Sequence, residues 1–88
     1  MSILVTMEVG PVDWPKFSAA FDWMKSQPSA GLQSNAVYRS ENAPDVVLVT
    51  QEWESHDAFH AMSEKYGDEF NSRAGTAGMD WRTGVWTR

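Results

Sequence analysis

The run Val46-Val47-Leu48-Val49 constrains this chain more than any other feature. Strand alternation sends Val47 and Val49 to one face and Val46 and Leu48 to the other. A strand that is apolar on both faces has to be covered on both faces. The run continues through Thr50-Gln51-Glu52 to Trp53. It then turns at Glu54-Ser55 into His56-Asp57-Ala58-Phe59-His60-Ala61-Met62, a helical pattern. Almost no loop separates strand from helix, so the stretch 45–70 organises the remaining segments around itself.

Those segments supply the rest of a sheet. Residues 3–9 read as a first strand, with Ile3, Val5, Met7 and Val9 on one face and Leu4, Thr6 and Glu8 on the other. Gly10-Pro11 ends it, because proline donates nothing to a ladder. Asp13 is placed to cap a helix, and Pro15 sits in its first turn. Trp14, Phe17, Phe21 and Met24, with Ala20 at the edge, form its apolar stripe, and the helix is expected to reach about Ser26 or Gln27. Pro28 and Gly31 stop it. A weaker strand follows at 33–41, with Ala36 and Tyr38 on one face and Val37 and Arg39 on the other. Asn42-Ala43-Pro44-Asp45 makes the turn into the central strand. Ser55 caps the second helix, and Asp57 complements its dipole. Phe59, Met62, Tyr66 and Phe70 form its buried stripe. Gly67 reads as an exposed mid-helix weak point, where a kink or early end is expected. Residues 80–88 close the chain as a strand, with Trp81, Thr83 and Val85 on one face and Arg82, Gly84 and Trp86 on the other.

The order β-α-β-β-α-β in one domain, residues 1–88, favours a ferredoxin-like α+β fold: a four-stranded antiparallel sheet with both helices on one face. The other face is then bare. Leu4, Val46 and Leu48 share parity opposite Val5, Val47 and Val49, so one apolar set has to meet something other than the chain's own helices. A second copy is the simplest cover, so a homodimer through one sheet face is expected. A chain of 88 residues buries only about 60–65% of its unfolded surface, so a lone copy is only modestly stabilised.

Composition removes several classes of function. The net charge is −5, and the seven Lys and Arg are scattered, so no basic patch exists for nucleic acid or an anionic membrane. No apolar run approaches ~18 residues, so no membrane-spanning helix is expected. There are no cysteines, hence neither disulfides nor thiolate metal ligands, which fits a cytoplasmic protein. Five tryptophans are many for so short a chain, and large aromatics favour cores, ligand pockets and interfaces.

The segment Val47-Leu48-Val49-Thr50-Gln51-Glu52-Trp53-Glu54-Ser55-His56-Asp57-Ala58-Phe59 resembles the strand-to-helix signature of the antibiotic biosynthesis monooxygenase family. That signature is an aliphatic strand, then E-W-x-S, then a helix with A-F early in it. Here it reads Glu52-Trp53-Glu54-Ser55 and Ala58-Phe59, and the length and element order match over nearly the whole chain. The resemblance implies a dimeric α+β barrel, two sheets face to face with helices outside and a ligand cavity between sheet and helices of one subunit. It further implies a small cofactor-independent monooxygenase-like protein acting on an aromatic or quinol-type metabolite, with no cofactor. The haem-degrading branch of the family fits least. Its early-strand asparagine and late-helix histidine are replaced here by Thr6-Met7-Glu8 and Glu69-Phe70-Asn71-Ser72-Arg73.

Asn35, Tyr38, Trp53, Tyr66, Trp81, Arg82 and Trp86 are the candidate lining of a ligand pocket. Tyrosine hydroxyls, indole N–H groups, an amide and a guanidinium are donors suited to a deprotonated aromatic oxygen. The plainer reading, to which the sequence leans, is that the aromatics fill the core of a small protein. The function would then be that of a non-catalytic dimeric binding or accessory module. No catalytic residue can be named, since no Ser-His-Asp arrangement or Gly-rich phosphate loop is present. His56 and His60 have metal-ligand spacing, but both fall beside or opposite the apolar stripe. They are read as surface histidines, with no metal expected. Trp23 lies across the first helix from its stripe, either as an exposed contact point or flat on the surface. Arg73, near the end of the second helix, is expected to snorkel to the surface, to pair with an acid such as Asp80, or to reach an interface.

Overall fold

The computed structural model describes residues 2–88. The elements run β1 (Ile3–Val9), α1 (Trp14–Lys25), β2 (Leu32–Arg39), β3 (Val47–Trp53), α2 (His56–Ala74) and β4 (Arg82–Thr87). All strand pairs are antiparallel, in the order β2-β3-β1-β4, and this is the ferredoxin-like α+β arrangement. The stretch singled out by its hydropathy is central. β3 lies between β2 and β1, and β1 completes the interior of the sheet.

Register decides which side chains meet. Val5 opposes Gln51, Met7 opposes Val49 and Val9 opposes Val47, so β1 and β3 turn one set, apolar but for Gln51, toward the helices. Val5, Val9, Val47, Val49 and Trp53 are all buried. The core has two parts. Phe17, Ala20, Phe21 and Ala74 pack on Val9, Val47 and Val49, with Phe70 and Trp81 against them. Ile3, Val5 and Trp53 form the second part, with Leu32, Ala58, Phe59 and Met62 against them.

The caps read from the sequence are present. The Asp13 carboxylate accepts from the Lys16 backbone N–H, and Ser55 Oγ accepts from that of Ala58 at 3.1 Å, each satisfying an orphan donor of a first helical turn. α2 runs unbroken through Gly67 and stops at Gly75, whose φ of 74° is the left-handed conformation a side chain resists. The early end expected at Gly67 is therefore corrected: the helix runs on from Gly67 to Ala74.

The expectation for Trp23 is revised, whereas Arg73 reaches the surface as expected. Trp23 is half-buried rather than free. Its ring meets Tyr66 edge-on at 6.1 Å, and the Arg73 guanidinium lies 4.4 Å from its centroid. Arg73 pairs with Glu69, one turn earlier on the same helix, and not with Asp80. A partner at i,i+4 is within reach without any loop rearrangement, which is why it wins. Trp23 thus joins α1 to α2.

Among the described residues, no element covers the opposite sheet face. Leu4 and Leu48 are partly exposed there, and Tyr38 and Trp86 are 58% and 60% exposed. No helix among the described residues is long and apolar enough to cross a membrane.

Phe17 is fully buried and touches both Phe70 and Trp81, so it ties α1, α2 and the segment leading into β4 together. Phe17→Ala is expected to cost about 3–5 kcal/mol. A urea titration followed by tryptophan fluorescence checks this through the midpoint.

Candidate functional site

Of the nineteen residues of α2, only Ala74 is buried. Its stripe, Phe59, Met62, Tyr66 and Phe70, is only half-covered. The helix is held at its start by the Ser55 cap. Beyond its end, fully buried Thr76 donates through Oγ1 to Asn71 Oδ1 at 2.8 Å and through its backbone N–H to the Asn71 carbonyl at 2.9 Å. Between these anchors the helix stands off the sheet and leaves a cavity of about 230 Å³.

The cavity floor is Met7, Val49, Gln51 and Thr83 from the sheet, with Trp81 just before β4. One wall is Phe21 and Met24 of α1. The other is Phe59, Met62, Ser63, Tyr66, Gly67, Phe70 and Asn71 of α2. The α2 residues recur at three- and four-residue spacing, so one helix face supplies a flat aromatic and thioether surface. No Asp, Glu, Lys, Arg or His lines the space. The polar groups are neutral: the Gln51 and Asn71 amides, the Ser63, Thr83 and Tyr66 hydroxyls, and the Trp81 indole. Asn71 Oδ1 accepts from Thr76 Oγ1, and among the described residues its amide nitrogen makes no hydrogen bond.

Beneath the floor runs a directed chain of hydrogen bonds. Trp53 Nε1 donates to Gln51 Oε1 at 3.0 Å, and Gln51 Nε2 donates to Asn35 Oδ1 at 3.2 Å. The direction is dictated by chemistry. An indole N–H can only donate, so the glutamine oxygen has to face Trp53 and its nitrogen has to face Asn35. The chain therefore ends on Asn35 Nδ2, a buried donor with no partner. Leaving such a donor unmade costs about 1–3 kcal/mol.

The seven residues read from the sequence fall into three groups. Tyr66 and Trp81 line the cavity. Trp53 and Asn35 lie behind its floor, joined to it through Gln51. Tyr38, Arg82 and Trp86 are on the open sheet face and are not part of the cavity. Their cross-strand partners are Leu48, Glu8 and Leu4, so the pleat sends them outward. Trp86 lies against that face, its Nε1 donating to Thr6 Oγ1 at 3.0 Å. Gly84 makes room for it, since a Cβ there would sit 2.9 Å from the indole nitrogen. His56 and His60 are both exposed, and among the described residues no three His, Cys, Asp or Glu gather to hold a metal.

The sequence reading passed over Gln51, Asn71, Ser63, Met7 and Thr83 as cavity residues. Gln51 had a usable signal: it shares parity with Val47, Val49 and Trp53, so it is a polar side chain on a core face. Asn71 had none, because its role depends on how far α2 stands from the sheet.

No family profile and no curated protein matches this chain. Solved structures do. A protein from Bordetella bronchiseptica, proposed as an antibiotic biosynthesis monooxygenase, superposes with a TM-score of 0.82 at 16% identity over 99% of this chain and 96% of its own. A conserved protein from Methanosarcina mazei Go1 gives 0.79 at 13% identity, covering 100% and 93%. SnoaB, a cofactor-independent oxygenase from Streptomyces nogalater, gives 0.71 at 18% identity, covering 99% and 91%. At these identities the likeness is one of fold. The chain has the fold of antibiotic biosynthesis monooxygenases, the family that its E-W-x-S segment resembles.

A Cβ at Gly67 would meet only Ser63 Oγ, at 3.7 Å, an ordinary contact. Gly67→Ala is therefore expected to raise stability by about 0.5–1 kcal/mol through helix propensity. Thermal unfolding should show a higher midpoint, and a lower one would mean that the cavity wall is tighter than described.

Proposed function

We propose that this chain is a small cofactor-independent monooxygenase-like protein of the antibiotic biosynthesis monooxygenase family, acting on an aromatic or quinol-type metabolite bound between sheet and α2. The observation that carries this reading is the cavity itself. It is walled by flat aromatic and thioether side chains and furnished with neutral donors, in a fold shared with a cofactor-independent oxygenase. Such chemistry asks little of the protein. A phenolate or enolate substrate passes an electron to O₂. One oxygen atom ends in the product as a carbonyl in place of a ring methylene, and the other leaves as water. No outside reductant is needed. The protein binds the flat ring, excludes water and steadies the developing oxyanion with fixed donors. Tyr66, Trp81 and Asn71, which line the cavity, would do so, and we assign no base.

The chain is further read as a cytoplasmic homodimer joined through the open sheet face, which would complete a dimeric α+β barrel. Leu4, Leu48, Tyr38 and Trp86 would be its contact surface. The absence of Asp, Glu, His and Lys among the cavity-lining residues favours a second reading, a binding module of the same fold without catalysis.

Oxygen uptake with a panel of hydroquinones and anthrones separates the two. Consumption above buffer, lost when Gly67→Phe fills the cavity, is the expected result. Binding without uptake across the panel would leave only the module. Sedimentation should give twice the chain mass for the wild type, and Leu48→Glu should shift it toward the monomer. A monomeric wild type would remove the barrel.

A further inference from the structure

We propose that Gln51 is the specificity-determining residue of the cavity: it presents an amide N–H to an acceptor oxygen on a neutral aromatic ligand, so the site selects a bicyclic aryl ketone or quinone over a hydrocarbon of the same shape. This deepens the cavity reading and rests on it.

Three observations converge on Gln51. It lies on the cavity floor, and it is only 4% exposed. A polar group so placed, among Met7, Val49, Phe59 and Met62, is set in a low dielectric where each hydrogen bond counts for more. Second, its orientation is locked from both sides. Trp53 holds the oxygen, and Asn35 accepts one hydrogen of the nitrogen. The amide cannot turn over without setting its nitrogen against the indole N–H. The second Nε2 hydrogen has no acceptor among the described residues. Accepting from Trp53 also polarises the amide and strengthens that remaining donor.

Third, the lock is kept at a cost. Because the chain runs Trp53 to Gln51 to Asn35, it strands Asn35 Nδ2 as a buried donor without a partner. A network serving packing alone could be replaced by apolar side chains of similar shape at little or no cost. Holding one glutamine N–H toward a cavity explains why the strained end is retained. Asn35 and Trp53 act through Gln51 and are positioning residues. The ligand's charge follows from the lining. With no cationic or anionic side chain there, a phosphate, carboxylate or ammonium group would be buried without a counter-charge, so the ring system has to enter neutral.

The test uses 1-tetralone and tetralin, which share a bicyclic skeleton and differ in one carbonyl oxygen. Calorimetry on the wild type is expected to show tetralone binding roughly threefold to tenfold tighter, the worth of one neutral hydrogen bond. Gln51→Leu and Gln51→Met are expected to abolish the preference. Gln51→Met keeps the length of the side chain, buries no charge and leaves a thioether as a weak acceptor for the Trp53 N–H, so it guards against loss of fold. On the wild type, the side-chain amide resonances of Gln51 should move with tetralone and not with tetralin, a readout that needs no variant. Equal affinities in the wild type, a preference that survives either folded variant, or a Gln51 amide blind to the carbonyl would overturn the proposal and leave the cavity as a ligand site. Failure of both probes to bind the wild type would overturn the cavity reading together with it.

Discussion

The indole of Trp53 is the constraint on which the rest of the structure depends. It sits at the end of the central strand with no exposed surface. Its bulk fills one part of the core, between Ile3, Val5 and Phe59. Its single N–H needs an acceptor where no water reaches, and the Gln51 oxygen one pleat away supplies it. That bond orders Gln51, and Gln51 orders Asn35 on the neighbouring strand. A packing residue thereby sets the polarity of the floor on which a ligand would lie.

The second determinant is the stance of α2. The chain leaves Trp53 and enters the helix across Glu54 and Ser55, so the helix start is held close to the strand end. Its far end is fastened by Ala74 and Thr76. Between those two anchors the helix stands off the sheet. The half-covered stripe from Phe59 to Phe70 is the result, and the cavity is its consequence. Trp23, wedged between Tyr66 and Arg73, braces the same helix from the side of α1. Gly67, an apparent weakness in the pattern, keeps that wall thin.

The fold was legible because its signals are local and repeat at fixed periods. Alternation in 3–9 and 46–53, the caps at Asp13 and Ser55, and the stripes of both helices each name an element without reference to any other. Even the bare face was readable, since Leu4 and Leu48 oppose Val5 and Val49 by parity alone. The site was legible only in part. Tyr66 and Trp81 were found because aromatic residues on core faces are conspicuous. Tyr38, Arg82 and Trp86 were grouped with them by chemical type, yet the pleat carries them to the opposite face.

What the sequence determined by itself is the set of elements, their order and the apolar face of each, because hydrophobic periodicity and capping act over a few residues. What only the tertiary structure decided is the gap between α2 and the sheet, and with it the standing of Gln51 and Asn71. A cavity is a mismatch between surfaces distant in sequence. The direction of the Trp53–Gln51–Asn35 chain likewise exists only once β2 and β3 are in register. Spacing along the chain encodes neither, because both arise from distances between elements.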